Sequence, residues 1–135
     1  MSTATITGPP PQSTGLDPDA GEDRLLGALV MRAGFGGEVN HRLVQSMLRA
    51  PIIAVPRRNS VDWIFLTGPR TPMSQSTIAD LIAAKVWWYD DPGSIPFPST
   101  HHEDSRWVQC PEEGAALPEW AALVGAIRRA LTGAW

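Results

Sequence analysis

Cysteine and lysine are nearly absent from this sequence, which contains one residue of each, Cys110 and Lys85. A single cysteine excludes an internal disulfide. No apolar run approaches the ~20 residues of a membrane-spanning helix, and the N-terminus lacks the basic and apolar regions of a signal peptide. We therefore expect a soluble cytoplasmic protein, and no pattern in the sequence indicates a cofactor.

The basic side chains are ten arginines and one lysine, and alanine, glycine and proline are abundant. This composition is typical of coding bias in a GC-rich bacterium or its phage, so arginine content alone does not indicate nucleic-acid binding. The net charge of −3 argues against a dominant basic face. Four acidic residues lie between positions 17 and 23, however, so the remaining chain is nearly neutral and compatible with a local basic patch.

The first 23 residues contain almost nothing to bury and are rich in proline, glycine, serine, threonine and aspartate. Such a composition cannot offset the entropy that is lost when the backbone is ordered. We predict a disordered acidic tail over residues 1–23 and a single α/β domain over residues 24–135.

Hydrophobic periodicity over residues 24–135 alternates between strand and helix patterns. Short apolar or β-branched runs predict strands at 25–32, 51–56, 61–67 and 85–89, with a further candidate at 106–108. Apolar residues at intervals of three and four predict helices at 38–49, about 76–85 and from Pro118 to near Gly133. The predicted fold is α/β (α+β), with a small mixed sheet and about three helices in the order β-α-β-β-α-β-(β)-α.

Three local features carry further expectations. The glycine-rich segment 34–37 predicts a tight turn between the first strand and the first helix, with phosphate binding as the less favoured alternative. Thr77 and Asp80 have the spacing of a capping box. The prolines within residues 95–99 predict an extended segment that could only be an edge strand.

Arginines cluster around the predicted hairpin. Arg57 and Arg58 occupy its turn, and Arg70 follows its second strand. Trp63 lies on that strand and is the nearest aromatic residue on which a base could stack. We predict that Arg57, Arg58, Trp63 and Arg70 form an edge that binds nucleic acid or a protein partner. Solvated surface arginines are the alternative.

Two other pairs of residues are candidate sites. Trp87 and Trp88 form an aromatic strand suited to a partner interface, because aromatic residues concentrate at interface hot spots. His101 and His102 precede two carboxylates, so this loop contains metal-ligand residue types, although its spacing matches no standard zinc pattern. We keep the loop as a candidate ligand or metal site, with a polar surface loop as the alternative.

Several short segments occur in a defined order: Ala54-Val55-Pro56, Asp62-Trp63-Ile64-Phe65-Leu66, Ile95-Pro96-Phe97-Pro98-Ser99-Thr100-His101, Arg106-Trp107 and Leu117-Pro118-Glu119-Trp120. Together they resemble the later half of the bifunctional DNA primase/polymerase domain. That family has a V-P-T hairpin, a P-P-S-x-H segment and an L-P-x-x-P exit into a helix. The resemblance, which covers about half the chain, implies a relation to proteins that act on DNA.

The chain departs from that family at the metal-binding residues. The family's acidic pair, hydrophobic-Asp-x-Asp at the end of a strand, should precede the hairpin, whereas the preceding strand here ends Val30-Met31-Arg32-Ala33. Two-metal phosphoryl transfer needs carboxylates to hold the metal ions. The resemblance therefore implies a degenerate, non-catalytic relative.

The sequence leaves three classes of function open. The favoured class is a small non-catalytic binding or regulatory protein that acts on nucleic acid or a protein partner, with self-association also open. The second is a small enzyme or ligand-binding domain that uses the His101/His102 loop. The third is a structural subunit of a phage or of a larger assembly.

Overall fold

A computed structural model describes residues 26–99 and 102–133. The predicted tail, residues 1–23, and His101 lie outside the described residues. Among the described helices, none combines the length and the apolar character needed to span a membrane. The elements in chain order are β1 (Gly27–Arg32), α1 (Ala33–Gln45), β2 (Ile52–Pro56), β3 (Val61–Thr67), α2 (Gln75–Ala83), β4 (Trp87–Trp88), a short 3₁₀ turn (Pro92–Ser94), β5 (Arg106–Gln109) and α3 (Trp120–Thr132).

The strands form one sheet in the order β4-β1-β3-β2-β5, and each neighbouring pair is antiparallel. The α+β class, the order of the elements and the three helices are confirmed. β2 and β3 form the predicted hairpin, in which Pro56 is paired with Val61. The turn closes with the N–H of Arg57, which donates to the carbonyl of Ser60 at 2.7 Å.

The three helices cover one side of the sheet, which we call the helix face. The core there contains Leu29 and Phe65 from the sheet, together with Leu43 of α1, Leu81 of α2 and Ile127 of α3, all fully buried. The apolar residues of α3 recur at intervals of three and four, so they lie on one side of the helix and face the sheet. Burial of this stripe is the main reason that α3 docks.

The opposite side of the sheet, the loop face, is covered by irregular chain. Ala28, Ile53 and Ile64 are fully buried there. The cover comes from Tyr89, Ile95, Phe97 and Leu117, and Trp107 of β5 packs against the same core from within the sheet. Because both faces are covered, β1 is apolar and buried from Gly27 to Met31 instead of alternating, and only its last residue, Arg32, is exposed. Residues 95–99 are outside every strand of the sheet, so the edge strand allowed for them does not form.

Two local expectations need correction. The glycines at 34–37 do not form a turn but belong to α1, which begins at Ala33. Gly36 is buried, and a Cβ there would lie 2.9 Å from Cε3 of Trp63, so the helix approaches the sheet closely at that residue. The cap of α2 is Ser74, whose hydroxyl accepts from the N–H of Thr77 at 3.1 Å, and not the Thr77–Asp80 pair.

The chain leaves α1 and α2 through residues with left-handed backbone conformations. Met47 follows α1 with φ of 61°, and Lys85 follows α2 with φ of 62°. Glycine is the usual residue at such positions because it lacks the Cβ that crowds the carbonyl. Met47 is 93% exposed, so this conformation directs a long apolar side chain into solvent.

Candidate nucleic-acid interface

Antiparallel pairing brings the end of one strand next to the start of its neighbour. The ends of β1 and β2 and the starts of β3, β4 and β5 therefore lie at the same end of the sheet. The basic residues beside these strand ends are Arg32, Arg57, Arg58, Lys85 and Arg106. We call this group the basic end. It contains five of the eleven basic residues of a protein whose net charge is −3.

One carboxylate orients two arginines at the basic end. Asp62 is opposite Arg32 in the register of β1 and β3. Its Oδ2 accepts from Nε of Arg57 at 2.9 Å, and its Oδ1 lies 3.8 Å from Nε of Arg32. The side chains of Arg32 and Arg57 remain 68% and 48% exposed. Two guanidinium groups thus share one negative charge and still face solvent.

The other three cations of the basic end are exposed. Arg58, Lys85 and Arg106 form no ion pair within the residues that the structure describes. The acidic residues at this end are Asp62 and the exposed pair Glu103 and Asp104, which precede β5. Five cations therefore face three carboxylates.

The opposite end of the sheet, the groove end, has the reverse charge balance. Arg70 donates to Asp90, and Arg49 lies 3.9 Å from Glu112. Each of these arginines is therefore matched by a carboxylate. The acidic residues at this end are Asp90, Asp91, Glu112, Glu113 and Glu119. Charge is thus separated along the direction of the strands, which raises the potential at the basic end.

The first turn of α1 adds positive potential to the basic end. α1 starts directly after Arg32, has no side-chain cap and has no acidic residue in its first turn. The first N–H groups of a helix have no partner within it, and the helix dipole is positive there. Apart from the adjacent residues and the nearby backbone of α1, no described atom lies within 4 Å of an ideal Cβ on Gly34 or Gly37, so the helix surface is open beside both glycines.

The structure separates the four residues of the predicted arginine edge. Arg57 and Arg58 lie at the basic end, whereas Arg70 lies beyond the other end of β3, which spans roughly 20 Å at ~3.3 Å per residue. Trp63 is on the helix face, half-buried, with its ring centroid 6.4 Å from that of Phe65. Asp62, which holds Arg57, lies on the loop face. Arg57 and Arg58 are thus the predicted residues that share one surface.

The two tryptophans of β4 lie on opposite faces of the sheet. Trp88 is paired with Leu29 and packs against the helix-face core. Trp87 is paired with Val30, so it lies on the loop face, where it is 54% exposed. Of the predicted aromatic interface, Trp87 is therefore the residue that a partner can reach.

His102 is exposed and forms an isolated bridge with Ser99, to whose carbonyl its backbone N–H donates at 3.1 Å. His101 lies outside the described residues. Within residues 26–99 and 102–133, no group of three or more histidine, cysteine, aspartate or glutamate residues is arranged to hold a metal ion.

A groove of about 810 Å³ lies at the groove end, between the end of α1 and residues 111–119. Its walls include Leu48, Leu117 and Ala122. Arg49 borders it and donates to the carbonyl of Cys110 at 2.8 Å. Glu112 and Glu119 also line it, so this apolar groove with acidic residues is not suited to phosphate.

Arg32, Lys85 and Arg106 are members of the basic end that the sequence did not indicate. These residues are far apart in the chain and meet only because of the strand order and register. Part of the signal was present, because each residue stands beside the predicted boundary of a strand. The sequence does not show which of these strand boundaries lie at the same end of the sheet.

Comparisons with models of protein families, with curated proteins and with solved structures give no match.

Proposed function

We propose that the protein is a nucleic-acid-binding or regulatory protein that contacts the phosphate backbone through the basic end. The observation that carries this proposal is the charge balance at one end of the sheet, where five basic residues face three carboxylates in a chain of net charge −3. Phosphate contacts by lysine and arginine supply the sequence-independent part of nucleic-acid affinity.

The chemistry of the side chains supports phosphate as the target. Four of the five cations are arginines, and the guanidinium group presents a planar fork of donors that matches phosphate oxygens. Asp62 accepts a hydrogen bond from Arg57 and lies 3.8 Å from Arg32, so the two guanidinium groups are close together. Such preorganisation reduces the side-chain entropy that binding would cost.

The resemblance to the later half of the bifunctional DNA primase/polymerase domain supports the same proposal. In that family the strand before the hairpin ends in metal-binding carboxylates. Here that strand is β1, and it ends in Arg32, a side chain that would bind phosphate oxygens and not a metal ion. The substitution favours binding of a nucleic acid over catalysis on it.

The experiment is fluorescence anisotropy with labelled DNA at low and moderate salt. We expect the wild type to bind, the double variant Arg57→Ala/Arg58→Ala to bind more weakly, and the control Arg70→Ala to bind like the wild type. The control removes an arginine of the same hairpin region that lies at the groove end. Absence of binding by the wild type at low salt, or unchanged binding by the double variant, would reject the proposal.

A further inference from the structure

Within residues 26–99 and 102–133, Trp87 is the one aromatic residue that is exposed. Trp87 is 54% exposed, whereas the other described tryptophans, at positions 63, 88, 107 and 120, are half-buried or buried. Large aromatic side chains usually bury their area, and those left exposed concentrate at binding surfaces. The exposure of Trp87 therefore favours a role for this residue in binding.

The local structure explains why Trp87 stays exposed. β4 is a two-residue edge strand, and Trp88 occupies the helix-face core. Alternation along the strand then places Trp87 on the loop face. Tyr89 and Ile95 of the irregular chain pack against the loop-face core, whereas Trp87 is not part of that core.

Trp87 also lies beside the basic end. Its register partner is Val30, and Arg32 follows two residues later on the same face of β1. Diagonal neighbours in an antiparallel pair lie roughly 7–8 Å apart. Lys85 precedes Trp87 by two residues and is exposed. An exposed indole therefore lies near Arg32 across the strand pair and near Lys85 along the chain, and Arg32 is 3.8 Å from Asp62.

From this juxtaposition we infer that the basic end binds single-stranded nucleic acid, with one base stacked on the indole of Trp87 and the adjacent phosphates contacted by Arg32 and Lys85. The inference rests on the proposed function and specifies the form of its ligand. In a duplex the faces of the bases are stacked on one another and cannot reach an external ring, whereas a single strand can present them. Cations that follow the backbone beside an aromatic platform are typical of single-strand binding.

The test compares an oligothymidylate, which cannot pair with itself, with a DNA duplex of the same length. The full-length wild type should bind the oligothymidylate more tightly, and the bound strand should quench tryptophan emission. Trp87→Ala should weaken single-strand binding roughly 5- to 150-fold and leave duplex binding unchanged, as expected for loss of one stacked base. Trp87→Phe, which keeps a smaller ring, should restore part of the affinity and lose part of the quenching.

Val44→Ala is the matched control, because Val44 is similarly exposed, at 58%, and lies on α1 away from the strand ends. If Trp87→Ala binds the oligothymidylate like the wild type while Arg57→Ala/Arg58→Ala does not, stacking is rejected and the proposed function stands. If Trp87→Ala weakens both DNA forms equally, single-strand selectivity is rejected. If the wild type binds neither form at low salt, both proposals fall. Binding of polyglutamate with the same dependence on Trp87 would replace nucleic acid with an acidic protein partner.

Discussion

Arg57 and Asp62 form an ion pair across the turn between β2 and β3, with Nε of the arginine 2.9 Å from Oδ2 of the aspartate. The same carboxylate lies 3.8 Å from Arg32 on the neighbouring strand. Asp62 therefore has two opposing effects at the basic end. It holds two guanidinium groups in place, and it cancels part of the positive charge that would attract phosphate.

Asp62→Asn separates these two effects. The variant removes one negative charge next to two exposed arginines, and a unit charge at 4 Å is worth about 1 kcal/mol in water. We expect DNA affinity at low salt to rise by about 3- to 5-fold and the free energy of unfolding to change by less than ~1 kcal/mol, because exposed ion pairs contribute little. Anisotropy and urea denaturation measure the two quantities.

Asp90→Asn is the control for that variant, since Asp90 binds Arg70 at the groove end. It should leave DNA affinity unchanged. Weaker binding by Asp62→Asn would show that fixing the orientation of Arg32 and Arg57 matters more than the charge that Asp62 cancels.

The slope of the salt dependence of binding measures how many phosphates the basic end contacts. Each contact to a single strand contributes a slope of about −0.7 in a plot of log K against log salt, so five contacts give about −3.5. Arg57→Ala/Arg58→Ala should reduce the slope by about 1.4 units, to about −2.1. Titrations at several salt concentrations measure it. A slope near zero would mean that the basic end does not contact the backbone.

Gly27→Ala should destabilise the domain. A Cβ at this position would lie 2.5 Å from Oγ1 of Thr67, 2.7 Å from Cε3 of Trp120 and 2.8 Å from the carbonyl oxygen of Gly68. Overpacking of a core costs about 1–3 kcal/mol. The control is Gly37→Ala in α1, where the Cβ meets no described atom within 4 Å outside the adjacent helix backbone and alanine gains about 0.5–1 kcal/mol of helix propensity. Urea denaturation should show opposite signs for the two variants.

Ile127→Asp should unfold or severely destabilise the protein. Ile127 is fully buried in the helix-face core, and an uncompensated buried charge costs several kcal/mol. Leu131→Asp, one turn later on the same helix, is the matched control because Leu131 is 41% exposed. If the two variants show the same melting temperature, α3 does not contribute its apolar stripe to the core.

The elements that the sequence predicts well are those whose signal is local. The apolar run of β1, the hairpin of β2 and β3 and the periodic stripe of α3 each lie within one short segment. The glycine-rich segment 34–37 predicts a turn from its local propensity, but it lies in α1, where the packing of Gly36 against Trp63 needs a residue without a side chain. Tertiary packing there overrides the local propensity.

The candidate interface is less accessible to sequence reasoning because it is non-local. Arg57 and Arg58 are adjacent in the chain and were found, whereas Arg32 and Arg106 join them only through the strand order. Periodicity along a strand reports which face a residue occupies and does not report which strand lies beside it. The residue proposed to stack a base is Trp63 from the sequence and Trp87 from the structure. The difference arises because Trp63 lies under α1, whereas Trp87 is exposed at the edge of the sheet.

The left-handed residues Met47 and Lys85 have a consequence for any attempt to make this protein more robust. A non-glycine residue in that conformation costs roughly 1–2 kcal/mol, so glycine at either position would be the obvious stabilising substitution. Met47 borders the groove, however, and Lys85 belongs to the basic end. A variant selected only for heat resistance would therefore remove a thioether from one end of the sheet and an ammonium group from the other. The fold thus retains the side chains of Met47 and Lys85, although their left-handed backbone conformations destabilise the ends of α1 and α2.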